Sequence, residues 1–167
     1  MPDLVPWFLV LHVLGAIIAF GPTFSFSVIG GLGGAEPMHG NFATRVSAAI
    51  TTRRVIPVGL TLPVSGIGLI WSVGINPFTR DTRWLLTGII LYAIALTYSL
   101  TVQLPTVRRI IGITSGPPPA AAPGSPPSGQ PPGLMEAVRK VQRGGMLLSG
   151  LIAVITFLMV VKPDLGI

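Results

Sequence analysis

Hydrophobic positions in this chain fall in long unbroken blocks, without the one-sided periodicity of a soluble helix or the alternation of a half-buried strand. Four blocks, 4–29, 55–74, 84–104 and 144–161, contain no Asp, Glu, Lys or Arg. A helix needs about 20 predominantly apolar residues to cross a hydrocarbon core roughly 30 Å thick. A charge at its centre costs about 3 kcal/mol or more on insertion scales, so the missing charges are informative. A membrane barrel would show short segments alternating apolar and polar. Segments such as Leu85 to Leu96 and Met146 to Val161 do not alternate. The pattern predicts an all-α fold: a four-helix transmembrane bundle forming a single membrane domain over 1–167. The first block ends near Gly33-Gly34-Ala35, small residues of the kind that flank a cleavage site. Met1-Pro2-Asp3 lacks the basic start of a signal peptide, and the apolar run is too long for one. A retained first span is expected.

The polar positions give the bundle a direction. Loops one and three hold Arg45, Arg53, Arg54, Arg108, Arg109, Arg139, Lys140 and Arg143; both termini and loop two hold Arg80, Arg83 and Lys162. Eight of the 11 basic residues on one side predict that side to be cytoplasmic, giving an N-out, C-out topology. Asp3, Asp81 and Asp164 lie on the other side. Trp7, Trp71 and Trp84 also fall at that outer boundary, where indoles favour the headgroup level. With Arg53, Arg54, Arg108, Arg109, Arg139, Lys140 and Arg143 they form the expected membrane-interface set.

The connections differ in kind. Asn76 to Arg83 is short and should hold spans two and three side by side, antiparallel. The stretch 115–133 carries eight prolines among Gly, Ala and Ser, and is expected to be a disordered cytoplasmic linker. Its Pro123 to Pro126 spacing fits a PxxP match, which means little in so proline-rich a run. Beside the membrane, Phe42, Val46 and Ile50, and Leu134, Val138 and Val141, recur at helical spacing next to basic residues. Each segment either extends its transmembrane helix or lies flat on anionic lipid.

Composition agrees with the pattern. Charged residues make up 10% of the chain and hydrophobic residues 50%, where a soluble domain is about a quarter charged. The mean hydropathy is +0.75. The net charge of +6 sits beside apolar runs and forms no continuous basic face, so the expected anionic partner is phospholipid, not nucleic acid. Cysteine is absent, which excludes disulfides, thiolate metal sites and cysteine nucleophiles.

Chemistry within the spans narrows to one ionisable side chain, His12. An intramembrane histidine usually faces the bundle interior, where it can hydrogen-bond, relay protons or ligate haem or a metal. No second span contains a histidine, and His39 belongs to the opposite side, so one chain cannot supply a bis-histidine haem site. Met159 is a permitted second ligand. The plainer alternative is a neutral imidazole bonded to Tyr92, Thr87 or Thr156. The hydroxyls of Thr23, Ser25, Ser27, Thr61, Ser65, Thr97, Ser99 and Thr101, with Gln103, could line a solute path or bond back to helix carbonyls. No acid is present to carry a cation. Pro57, Pro63 and Gly21-Pro22 mark expected kinks, and Gly15 with Ala19, and Gly145 with Ser149, have the spacing of close helix contacts. Gly30 to Gly34 lacks the strand, lysine and hydroxyl of a phosphate loop.

Leu11-His12-Val13-Leu14-Gly15-Ala16, the Arg53-Arg54 boundary, Trp84-Leu85-Leu86 and Leu158-Met159-Val160-Val161-Lys162-Pro163 resemble a family of small four-span bacterial integral membrane proteins of unknown function (domain of unknown function 2269). The resemblance covers most of the chain outside the linker, and implies the bacterial cytoplasmic membrane. More distantly, the first helix resembles four-helix proteins that handle copper or haem, which implies His12 as a cofactor ligand. Three function classes follow: an accessory or scaffold bundle within a membrane assembly, partnered by other membrane subunits or by copies of itself; a haem- or metal-handling protein centred on His12; and a small-solute transporter. No catalytic constellation stands out, and an enzyme is the less expected reading.

Overall fold

The computed structural model describes residues 4–116 and 131–163. They form four long helices, α1 (Val5–Ala35), α2 (Gly40–Val73), α3 (Arg80–Thr114) and α4 (Leu134–Val161), each long and apolar enough to cross a membrane. No strand occurs among the described residues. Most of the expected proline-rich linker lies outside them, with its Pro123–Pro126 spacing, as do Asp3 and Asp164. The outward faces remain apolar: Val10 and Ile17 of α1, Val64 and Ile67 of α2, Ile94 of α3 and Val160 of α4 are all exposed. Such a surface is stable only in lipid.

The helices run up and down, so one end of the bundle collects the tryptophans and the other the basic residues. At the tryptophan end, Gly74 closes α2 with φ +75°, a left-handed turn that glycine adopts at no steric cost. Its amide and that of Ile75 both bond the Ile70 carbonyl, at 3.0 and 3.1 Å. At the basic end, α2 starts at Gly40 and α3 continues to Thr114. With 34 and 35 residues, each is roughly 50 Å long at 1.5 Å per residue. That exceeds the hydrocarbon thickness. The segments carrying Phe42, Val46 and Ile50, and Leu134, Val138 and Val141, are therefore extensions of their transmembrane helices.

Two of these extensions begin at a widened turn. Thr51–Val55 in α2 and Ser99–Gln103 in α3 are π-helical. Each turn ends two residues before a proline, Pro57 and Pro105. Proline has no amide hydrogen, and its ring crowds the carbonyl four residues earlier. The preceding turn widens in response: Ile56 N–H bonds Thr51 and Leu104 N–H bonds Ser99, both five residues back. The helices continue unbroken. Pro22 and Pro63 sit inside α1 and α2, which also stay continuous.

Small residues decide which helices meet. α1 lies along α2 for its whole length and also touches α4, while α4 lies along α3. In the first seam a Cβ on Gly15 would stand 3.1 Å from Leu62 Cδ2, and the Phe8 ring occupies the space over Gly68. Ala19 is wholly buried. In the α3–α4 seam Met159 fills the space over Gly88, while Tyr98 and Gln103 fill that over Gly144. Gly144, not the expected Gly145, is the contact; a Cβ at Gly145 would meet nothing within 4 Å. The short connection does leave α2 and α3 antiparallel, yet they close on each other only near the basic end. Higher up, Tyr92 stands between them and donates its hydroxyl to the Gly59 carbonyl at 2.5 Å.

At the basic end α1 and α2 cross backbone to backbone. A Cβ at Gly33 would lie 2.8 Å from Ala43 Cβ and 3.4 Å from Gly40 Cα, whereas one at Gly34 would meet nothing within 4 Å. Gly33→Val should therefore destabilise the folded protein by about 1–3 kcal/mol, and Gly34→Val should change it by less than about 0.5 kcal/mol. Thermal unfolding of the two variants in the same detergent checks the contrast.

Candidate functional site

His12 is half-buried on the side of α1 that meets α2. Its Nδ1 lies 2.9 Å from Ser65 Oγ, with either atom able to supply the proton. A Cβ at Gly66 would stand 3.3 Å from its Cε1, so the absent side chain makes room for the ring. Ser65 Oγ also reaches the Leu62 carbonyl at 3.1 Å. The imidazole is thus bonded to a neighbouring helix, as the plainer reading requires, but to none of the three partners named for it. Tyr92 bonds Gly59 and Thr156 bonds the Ile152 carbonyl at 2.9 Å. The reason is helix order: His12 faces the α1–α2 seam, while Thr87 and Tyr92 belong to α3 and Thr156 to α4.

That geometry bears on cofactors. Met159 points at Gly88 in the α3–α4 seam, whereas His12 points at α2. Among the described residues no three His, Cys, Asp or Glu side chains cluster as metal ligands. With Nδ1 engaged by a serine, the imidazole keeps Nε2 as one donor, enough for a single axial bond to haem but short of the several ligands of a copper site. The His12–Met159 pairing is not formed, and His12 stands as a single donor.

Several polar residues of the spans bond to backbone carbonyls. Thr61, Ser72 and Thr101 return bonds to the carbonyls of Val58, Leu69 and Thr97, at 2.7, 3.1 and 2.7 Å. Gln103, turned by the π-helical segment of α3, donates from Nε2 to the Val141 carbonyl of α4 at 3.0 Å. No buried side-chain nitrogen or oxygen among the described residues lacks a partner. In hydrocarbon that matters, because an unsatisfied polar group there costs several kcal/mol.

The interface residues divide into two kinds. Trp7 and Trp71 are exposed, at 71% and 66%. Trp84 is turned inward at 9% and packs with Leu85 and Leu158, and the Lys162 ammonium lies 5.5 Å from its ring centre. It is at the expected end of the bundle but faces protein, because α3 and α4 meet there. Arg45, Arg53, Arg54, Arg108, Arg109, Arg139, Lys140 and Arg143 are all exposed. Among the described residues His39 Nδ1 lies 2.9 Å from Glu36 Oε2, and no Lys or Arg pairs with a described acid. The extensions that present these cations are tied together: Asn41 Nδ2 donates to Thr114 Oγ1 at 2.7 Å and to Ser115 Oγ at 3.2 Å.

Sequence reasoning missed four features that shape this region: Pro105, the two π-helical turns, and a cavity of about 60 Å3 lined by all four helices. Pro105 was the readable signal, since it repeats the relation of Pro57 to its arginine pair.

A double-mutant cycle isolates the His12 contact. His12→Ala and Ser65→Ala should each destabilise the protein, and together by less than the sum, with a coupling of about 0.6–1.7 kcal/mol. Chemical unfolding in micelles measures it. Strict additivity would mean that the bond contributes nothing.

A family model described as "Predicted integral membrane protein (DUF2269)" matches residues 7–163. No curated protein and no solved structure matches the chain.

Proposed function

The chain belongs to the DUF2269 family of predicted integral membrane proteins, and we propose that it serves as a non-catalytic accessory or scaffold component of a larger assembly in the bacterial cytoplasmic membrane. The observation that carries this reading is the basic end. Three helices continue beyond their apolar blocks, are cross-tied at Asn41 and Gln103, and present eight exposed Lys and Arg side chains. The charges alone would serve to orient the bundle; the cross-ties that hold them on one surface are what points to a partner. Such a platform suits a protein that is held against an anionic leaflet, at about 1 kcal/mol per basic residue near the surface, while offering a rigid surface to other subunits. The basic end is cytoplasmic in this reading, and both termini are outside. Transport is the weaker reading, because Thr61, Ser72, Thr101 and Thr156 bond back to carbonyls of their own helices.

Two experiments test it. Since the chain has no cysteine, a single cysteine at Thr79 should react with a membrane-impermeant maleimide in intact cells, and one at Gly112 only after permeabilisation. The reverse pattern contradicts the orientation. Crosslinking in native membranes should then hold the chain in a defined species well above 17.5 kDa. Replacing Arg108, Arg109, Arg139 and Lys140 by Gln should dissolve that species. A chain that runs as a monomer before and after crosslinking argues against a scaffold.

A further inference from the structure

The four helices close a ring with one gap. α2 packs on α1, α1 on α4 and α4 on α3, but the membrane portions of α2 and α3 make almost no backbone contact. Behind that gap lies the cavity of about 60 Å3. Its back wall is Leu148, Ile152 and Ile155 of α4, all buried. The small side chains of Ala19 and Ala95 and the bare Cα of Gly59 create the space, and Val55 and Ser99, which belong to the two π-helical turns, lie at its basic end. Tyr92 and its bond to Gly59 frame the opposite end of the opening. A water- or methylene-sized group needs about 15 Å3 of such space, so roughly four fit.

Three properties define an occupant. The opening lies between two helices whose outward faces are exposed hydrophobics, so entry is from hydrocarbon. The wall carries no ionisable group except the Tyr92 phenol, already bonded, and its remaining polar atoms are the hydroxyls of Thr23 and Ser99. Arg53 and Arg54 immediately precede Val55, are exposed and have no acidic partner among the described residues. An apolar entrance with two exposed arginines next in sequence to its Val55 end matches an amphiphile with an anionic head, since guanidinium binds phosphate in a fork of parallel hydrogen bonds. We propose that the gap between α2 and α3 is a lateral lipid site, in which an acyl chain of an anionic phospholipid enters the cavity and its phosphate pairs with Arg53 or Arg54. The site requires only that the bundle sits in lipid, and stands whether or not a partner covers the basic end.

The test places the full chain in phosphatidylcholine vesicles doped with phosphatidylglycerol, one lipid at a time carrying a mid-chain diazirine. After irradiation, crosslinked residues are mapped by mass spectrometry. Labelling is expected at Ile152 and Ile155, on the far wall, and about fivefold stronger from phosphatidylglycerol than from phosphatidylcholine. Ala95→Leu should abolish it while Val64 and Ile67, which face bulk lipid, stay labelled. Joint Arg53→Gln and Arg54→Gln should remove the headgroup preference. Label at Val64 and Ile67 but none at Ile152 or Ile155 in the unaltered chain overturns the site, independently of how any variant folds. Equal labelling by the two lipids overturns the phosphate contact.

Discussion

Inside a bilayer no water is available to a backbone amide or carbonyl, so a spanning helix must satisfy every such group within itself or from a neighbour. This chain meets that demand despite prolines in three of its four helices. Pro57 and Pro105 each remove one donor, and the turn before each widens so that the ladder resumes without a break. The consequences extend well past the prolines. The α3 turn aims Gln103 at the Val141 carbonyl, locking α3 to α4. The α2 turn presents Arg53 and Arg54 where the apolar block ends. Both turns border the internal cavity.

A second constraint follows from the lack of a hydrophobic driving force between helices in lipid. Close packing of small residues and hydrogen bonds between helices must do that work. Along α1–α2 the seam runs from Phe8 over Gly68, through His12 on Ser65, to Leu62 over Gly15 and the Gly33–Gly40 crossing. His12 belongs to this seam, a structural hydrogen bond between two glycine-lightened surfaces. Where glycine and alanine are not matched by a close backbone, as at Gly59 and Ala95, space remains.

The legible part of the sequence was that governed by transfer free energy. Four charge-free blocks gave four spanning helices, and the amphipathic flanks of α2 and α4 gave helical extensions. Gly15 with Ala19 was a true contact. What was not legible depends on helix order and rotation. A histidine in span one has interior neighbours on several helices, and apolar content alone does not say that α2 provides its partner. Trp84 reads like Trp7 and Trp71 by position, yet faces Leu158 because two helix ends converge there. Gly144 and Gly145 are equivalent by composition and differ by about 100° around the helix. Proline marks an expected kink, but it does not by itself reveal the one-residue widening of the turn before Pro57 and Pro105.

Continuity of the helix through these turns is the claim on which the basic end, the Gln103 tie and the cavity all depend. It is measured by a single-cysteine spin-label scan of the reconstituted protein over residues 46–64, recording accessibility to oxygen in the bilayer. Helical periodicity of about 3.6 residues should persist on both sides of Thr51–Val55, with its phase displaced by one residue across the turn. A scan that loses periodicity ahead of Pro57, or keeps an unshifted phase through it, contradicts a continuous helix with a π-helical turn.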